Sequence, residues 1–312
     1  MRKYLKTIIP EKIRTLVRVA LFNIKFFPRT FHVVLNYLKH NNDTFENELS
    51  VAIIIKNEAP YIKEWIDYHR LIGVEKFYIY DNDSTDNVLE VLKSYIDLGI
   101  VAYHFLPGKK MQYKAYQLAV EKYKNQTKWL AIIDADEFIV PVKENKIIDV
   151  ITNVENKVKR NIVSLKIPWV MYGYSGHREK QEGLIMENYT KNDGAIATLK
   201  SIVNPRTVIG FASPHYAIHF FGRSGVSENG EKIVGPIFFK NKKISVQEIR
   251  INHYYTKSYE EFVYKARKGR ADHNTDLIIP DFDPMYSSRY DDAIMDKYIP
   301  IIKENIKERY KQ

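Results

Sequence analysis

The chain has 312 residues, 45% apolar and 28% charged, with a net charge of +10 and no cysteine. Such a balance belongs to a globular protein of one large domain or two modest ones. The missing cysteines exclude disulfides, cysteine-held zinc and thiol catalysis, and they fit a reducing compartment, so a cytoplasmic location is expected.

Residues 1–40 carry nine Lys/Arg and one acid, Glu11, which accounts for +8 of the +10. Apolar residues at 4, 5, 8, 9, 13, 16, 17, 20, 21 and 24 follow helical spacing. No apolar run approaches the roughly 18 residues of a membrane span. Charges interrupt every candidate core of a cleavable signal peptide. An amphipathic basic helix of this type can lie on an anionic membrane surface, so residues 1–40 are expected there, peripheral on the cytoplasmic face. The alternative is a helix packed on its own domain with a solvated basic face. The remainder of the chain is close to neutral, which disfavours a polyanion groove, and no nucleic-acid partner is expected. Residues 41–48 are polar and read as a linker, so 1–45 is taken as an N-terminal extension.

Residues 46–140 alternate strand and helix patterns. Leu49–Ile55 is a β-branched run that reads as a buried strand and ends at Lys56-Asn57-Glu58. A helix over Pro60–Gly73 precedes a strand at Phe77–Tyr80, which ends in the cluster from Asp81 to Asp86. Asn87–Tyr95 reads as a helix with Asp86 as its N-cap. A strand at Ile100–Phe105 and a helix at Gln112–Tyr123 follow. The apolar run Trp129–Ile133 then stops abruptly in Asp134-Ala135-Asp136-Glu137. This alternation predicts a parallel, mostly buried sheet, and such sheets bind ligands at the carboxyl ends of their strands. The three polar clusters at 56–58, 81–86 and 134–137 each stand at such an end.

Carboxylates beside a core strand are costly unless paired or bound to a cation. Two acids one residue apart can hold a divalent cation that bridges the phosphates of a nucleotide. Solvated acids at a strand exit are the plainer reading of the tripeptide alone. Acids such as Asp81 and Asp83 can accept from base N–H groups and ribose hydroxyls. There is no G-x-G-x-x-G or G-x-x-x-x-G-K-[ST] motif, so dinucleotide and Walker-type sites lack support.

Residues 141–256 look like strands with irregular connections, at Val163–Ile167 and from Phe211 onwards. Trp169, Tyr172, Tyr174 and His177 bunch within nine residues. Aromatic faces and polar groups of this kind suit a saccharide acceptor, and a tyrosine-rich core edge is the alternative. Histidines fall at 215, 219 and 253. From residue 257 the chain turns basic and helical. Ser258-Tyr-Glu-Glu261 is a capping box opening a helix with Lys265, Arg267, Lys268 and Arg270, which can clamp a leaving diphosphate or form a solvated face. Residues 287–310 read as a last amphipathic helix.

Several motifs together carry a resemblance. I-I-I-K-N-E at 53–58, W-I-D-Y-H at 65–69, the G-V-x-x-F-Y-I-Y-D-N-D-S-T-D run at 73–86 and W-L-A-I-I-D-A-D-E-F-I at 129–139 resemble the GT-A glycosyltransferases. More narrowly they resemble glycosyltransferase family 92 and bacterial relatives of the family 2 type. The similarity extends to Trp169–His177, to K-S-I-V-N-P at 200–205 and to Asn252-His253-Tyr254, and covers roughly residues 50–270. It implies a GT-A, Rossmann-like α/β fold: a mixed, mostly parallel sheet flanked by helices, with helical N- and C-terminal extensions. The catalytic domain would span 46–256, divided into a nucleotide half (46–140) and an acceptor half (141–256), with 257–312 a basic helical region.

The resemblance also implies an inverting transfer from a nucleotide-sugar, with uridine the expected base, to a saccharide or glycolipid acceptor in cell-surface polysaccharide or lipopolysaccharide synthesis. Asn57 and Glu58 would meet the nucleoside and Asp81 the base. Asp134 and Asp136 would serve the metal and diphosphate, and His253 would complete the metal shell, with His215 the lesser candidate. Imidazole beside carboxylates suits Mn²⁺ better than Mg²⁺ alone. Glu137 would support this shell or face the acceptor, beside Trp169, Tyr172 and His177. Lys200 would face the diphosphate or an acid of the site, or form a structural ion pair. An inverting transfer needs one general base. Glu187 is preferred over Glu182, with Glu179 and Asp193 behind them. The competing readings are a nucleotidyltransferase of sugar activation and a basic membrane- or nucleic-acid-binding module.

Overall fold

The computed structural model describes residues 27–40, 44–235, 244–268 and 288–309, with the single positions 13, 17 and 21. Most of the expected helix over residues 1–26 lies outside the described residues. So do Arg270 and the side chains of Arg267 and Lys268.

Helix α1 (Phe27–Lys39) precedes the sheet. Strands β1 (Asn47–Ile55), β2 (Lys76–Asp81), β3 (Val101–Phe105) and β4 (Thr127–Ile132) are joined by α2 (Ile62–Leu71), α3 (Val88–Asp97) and α4 (Gln112–Tyr123). All pairings among these four strands are parallel, in the order β4-β1-β2-β3. The last seven residues of β1 are all buried, as a β-branched run covered by helices on both faces must be. The register places Ile55 opposite Asp81 and Ala52 opposite Ile132. The polar clusters at 56–58, 81–86 and 134–137 therefore emerge along one edge of the sheet, as the alternation predicts.

The second half turns the sheet mixed. Its strands are β5 (Glu137–Pro141), β6 (Ser164–Tyr172), β7 (Lys191–Val203), β8 (Val208–Ser213), β9 (Tyr216–His219), β10 (Gly225–Val226), β11 (Lys232–Ile233) and β12 (Ile249–His253). Helix α5 (Ile147–Val158) and the single turn α6 (Ile185–Asn188) lie between them. Among the described residues the main sheet has eleven strands, and β8 and β9 form a separate ribbon. Strand β7 runs antiparallel between β4 and β6. Strand β12 pairs with β5 so that His253 stands opposite Glu137, and with β6 so that His253 stands opposite Met171. That pairing carries a distant histidine to the acidic turn after β4.

The C-terminal elements are α7 (Tyr259–Lys268), β13 (Tyr290–Asp291) and α8 (Ile299–Arg309). Helix α8 packs on α2 and buries Ile302, and the Tyr298 ring just before it stands 5.0 Å from Tyr68 in an edge-on contact. The polar stretch read as a linker to residue 48 is shorter than expected, because β1 begins at Asn47.

Candidate active site

The turn after β4 is built by its own acids. Glu137 Oε2 accepts from the Asp134 N–H at 3.0 Å, which fixes the D-x-D loop across its base. Glu137 is fully buried, and its backbone carbonyl accepts from Trp65 Nε1 at 2.8 Å. Its place inside the fold sets its role as a brace of the loop, where an acceptor-facing role was the other expectation. Burial pushes its carboxyl well above the usual range, and Asp134 and Asp136 push the same way against the opposing pull of Lys200.

Lys200 is fully buried and arrives on β7, with Nζ 2.7 Å from Asp134 Oδ2 and 3.5 Å from Glu137 Oε1. Of its expected roles the structure shows the ion pair with acids of the site. Burial opposes its charge, yet the two carboxylates hold its pKa above the ordinary lysine value. Asp134 also accepts from Tyr116 Oη at 2.9 Å and from Gln112 Nε2 at 3.1 Å, both on α4. Burial works against its ionised form, but the Lys200 ammonium and the Tyr116 hydroxyl keep its pKa below the usual carboxylate value. The Asp134 carboxylate is thus turned toward α4 and β7.

Asp136 faces the other way. Its Oδ2 is 2.6 Å from Lys265 Nζ on α7, and its Oδ1 is 3.5 Å from His253 Nε2. Burial acts to raise its pKa, and Lys265 and His253 together drive it well below the normal range. Lys265 also donates to the Tyr255 carbonyl at 3.0 Å. The region from 257 onwards, read as a basic extension, therefore completes the site.

Asp136 and Lys265 open onto a cleft of about 1100 Å³. Its walls include Asn57, Glu58 and Tyr61 after β1, Glu64 on α2, Glu182, Lys257 and Glu261. Asn57 sits on left-handed backbone (φ 55°), where its Oδ1 accepts from the Thr85 N–H at 2.7 Å. Its own N–H donates to Ser84 Oγ at 2.9 Å, so the loops after β1 and β2 are stitched together. Asp81 is buried, and its carboxylate accepts from Tyr103 Oη at 2.6 Å and from the Ser84 N–H at 2.9 Å. Asp83 is exposed in the same loop, at φ 64°. Asp86 caps from one residue further out than a standard N-cap: Asn87 takes that place, and Asp86 accepts from the N–H groups of Ala59 and Val88.

The remaining expected residues divide. The Trp169 ring lies 4.2 Å from His253 and 5.2 Å from His215, and its buried indole N–H has no hydrogen-bond partner among the described residues. His215 donates from Nδ1 to the Leu199 carbonyl at 3.0 Å, and burial pushes its pKa down to about 4. His219 shares a hydrogen bond with Thr207 Oγ1, away from the acids. Tyr172 was expected against the acceptor. Instead it is buried, donates to Asp292 at 2.9 Å and accepts from Arg250 at 3.1 Å, because its place on β6 turns it into the core. The His177 ring packs against Tyr189 at 5.9 Å in the loop after β6. Glu187 stands 2.5 Å from Lys303 on α8, and Glu182 is exposed on the cleft wall.

Two cleft acids were not among the site residues expected from the sequence. Glu261 closes the capping box, accepting from Ser258 Oγ at 2.8 Å, and also accepts from the hydroxyls of Tyr61 and Tyr189. The S-x-x-E signature located it but not the two tyrosines. Glu64 is 4% exposed and accepts from the N–H groups of Ile185 at 2.8 Å and Met186 at 3.0 Å. Burial raises its pKa from 4.5 to about 7 against those two donors. Because the folded value lies above the unfolded one, its contribution to stability is complete below pH 4.5 and lost as the pH rises through about 7. Glu64→Gln removes this titration. The stability of the wild type relative to that variant is expected to fall by about 3 kcal/mol across this window, read from denaturant unfolding at several pH values. A constant difference would refute the assignment.

Among the described residues no group of three or more His, Asp or Glu side chains stands ready to hold a metal ion. Asp136 and His253 supply a pair. Neighbouring ligands around a small octahedral cation stand about 3 Å apart, close to the separation of Asp136 Oδ1 and His253 Nε2. Two such groups with a nucleotide diphosphate fit a divalent cation. Asp134, turned toward Lys200 and Tyr116, does not share that pairing.

The family model "Glycosyltransferase family 92" matches residues 49–291. A glycosyltransferase family 92 protein of Ricinus communis is 27% identical over 211 residues, 67% of this chain and 38% of that protein. A galactan beta-1,4-galactosyltransferase of Arabidopsis thaliana is 35% identical over 94 residues, 27% of this chain and 19% of that protein. The chain thus spans under two fifths of the length of these relatives. A solved structure of S. aureus TarS in complex with UDP aligns over 43% of this chain and 38% of that one, at 16% identity and a TM-score of 0.32. The mixed α/β sheet with its parallel nucleotide half is the GT-A arrangement that the resemblance implies. The match over 49–291 begins within β1 and takes in every strand from β2 to β12 together with Asp136, His253 and Lys265, and the chain belongs to glycosyltransferase family 92.

Proposed function

We propose that the chain transfers a hexose from a nucleotide-sugar, uridine-based, to a saccharide or glycolipid acceptor with inversion at the sugar carbon. The observation that carries this reading is Asp136, which lines the cleft together with Asn57 and Glu58 of the β1 loop and is paired behind it with His253. Similarity to a galactan galactosyltransferase favours a hexosyl donor and a polysaccharide product, in keeping with cell-surface polysaccharide or lipopolysaccharide synthesis. The cysteine-free sequence supports a cytoplasmic site of action.

In this reading Asp136 and His253 hold a divalent cation, Mn²⁺ in preference to Mg²⁺. When bound, the cation supplies positive charge to the departing diphosphate. Lys265 adds a second positive group beside it, with its ammonium already held in the cleft by Asp136 and the Tyr255 carbonyl. Asn57 and Glu58 line the cleft where a nucleoside would meet the β1 loop, and the Trp169 indole N–H is a donor without a protein partner among the described residues. The acceptor hydroxyl must lose a proton as its oxygen bonds to the sugar carbon. Glu182 is the better base: it is exposed and lines the cleft, whereas Glu187 is committed to Lys303. This reverses the order expected from the sequence.

The test is a donor screen. The protein is incubated with Mn²⁺ and a panel of nucleotide-sugars, and free nucleoside diphosphate is scored. Slow hydrolysis of one donor, suppressed by a chelator, is expected. Release of pyrophosphate instead of a nucleoside diphosphate would assign the site to nucleotidyl transfer and overturn the proposal.

A further inference from the structure

Helix α1 has two faces with opposite fates. Thr30 and Val33 are buried on one side, where Val33, Val34 and Tyr37 pack with Ile209, Tyr216, Ile218 and Phe220. The Tyr37 ring meets Phe220 at 5.3 Å, Arg29 pairs with Glu121, and Asn36 donates to Asn125 at 2.9 Å. The helix is therefore fastened to the domain. Its other side shows Phe27, Phe31, Leu35 and Leu38, each half to two-thirds exposed. These four fall within one narrow arc of the helix at 100° per residue, with His32 and Lys39 on its flank. The series continues at Ile13, Val17 and Leu21, which are helical and about half exposed. Beside α1, the turn Phe220–Gly222 holds Phe221 on left-handed backbone (φ 53°), 74% exposed.

An apolar stripe fixed to a folded domain and left open to water marks an interaction surface. Charge decides what it fits. Residues 1–40 hold nine Lys/Arg against one acid. A second copy laid along the stripe would bring two such basic segments side by side, which like-charge repulsion opposes. An anionic lipid surface takes the apolar residues into its acyl boundary and complements the basic charge of this part of the sequence, to which α1 contributes Lys39 on the flank of the stripe. Among the described residues no helix is long and apolar enough to cross a membrane.

We infer that α1 is an interfacial anchor, whose outward stripe Phe27-Phe31-Leu35-Leu38 seats in an anionic phospholipid bilayer while its inward face stays docked on the domain. This surface is separate from the cleft and independent of the sugar-transfer reading.

Flotation of the full chain with two vesicle types tests it: phosphatidylcholine alone, and phosphatidylcholine with one third phosphatidylglycerol. The wild type is expected to float with the anionic vesicles and to stay behind with the neutral ones. The double variant Phe31→Glu, Leu35→Glu places acids on the stripe and is expected to weaken the partition about tenfold or more. Its melting temperature and its release of nucleoside diphosphate should stay unchanged, which separates loss of the surface from loss of the fold or the active site. Equal flotation of variant and wild type overturns the inference, as does failure of the wild type to float. So does light scattering that finds a wild-type dimer split by the same variant, because a second copy would then cover the stripe.

Discussion

Asp136→Asn is expected to lower kcat/KM for transfer by about a thousandfold, a loss of about 4 kcal/mol in transition-state stabilisation. The substitution keeps the shape of the side chain and removes its charge. Asp136 is the acid of the D-x-D turn that faces the cleft, with one oxygen toward His253 and the other toward Lys265. Among the described residues no other cleft-lining acid pairs with His253. A nucleoside diphosphate with Mn²⁺ is expected to raise the melting temperature of the wild type and to leave that of the variant unchanged. Its fold should survive, because the Lys265 side chain left behind is about one-third exposed and its ammonium keeps the Tyr255 carbonyl as an acceptor. Full activity in the variant would remove the site from the reaction.

Lys200→Met is expected to act on stability, with a loss of about 3–5 kcal/mol, the cost of stranding a buried charge partner. The methionine matches the length of the stem but leaves Asp134 and Glu137 without their ammonium. The pH dependence has a definite sign. In the wild type Asp134 is held below 3.8, so its pairing contributes above that pH and fades as the solution is acidified through the folded value. In the variant the fully buried Glu137 and the partly buried Asp134 are left without a cation, and their folded pKa values rise. Stability is then greatest in acid and is lost as the pH climbs. Urea unfolding at mildly acidic and mildly alkaline pH should show the gap between wild type and variant widening with pH. A gap that narrows would mean that Lys200 is not the counter-ion of this turn.

Much of the nucleotide half was legible in the sequence, for a physical reason. Parallel strands buried on both faces are written as unbroken apolar runs, and α4 was read at its observed bounds of Gln112–Tyr123. The polar clusters ending those runs marked the ligand edge. The second half hid more. Strand β7 contains Asn192, Asp193, Gly194 and a fully buried Lys200, and its pairing partners lie on strands distant in sequence. Its 13 residues show neither a clean alternation nor an apolar run. Tyr172 sits in the same aromatic bunch as Trp169, yet only the strand geometry reveals that one meets the histidines and the other the Arg250–Asp292 pair. Glu64 lies on a helix whose buried set also includes Asp67 and His69, so no periodic pattern distinguishes it.

The carboxylate of Glu261 joins three parts of the chain: Tyr61 from the β1 loop, Tyr189 from the segment after α6, and the first turn of α7. All three border the cleft or carry residues that do. Its two walls therefore share one hinge pin, and neither can be displaced without breaking a hydrogen bond to the same acid. The width of the opening is set in common, like the gauge of a track. A relative that takes a bulkier acceptor would have to find the room by trimming side chains on the rim, such as Lys180, Lys257 or Lys307, with the helix left where it is.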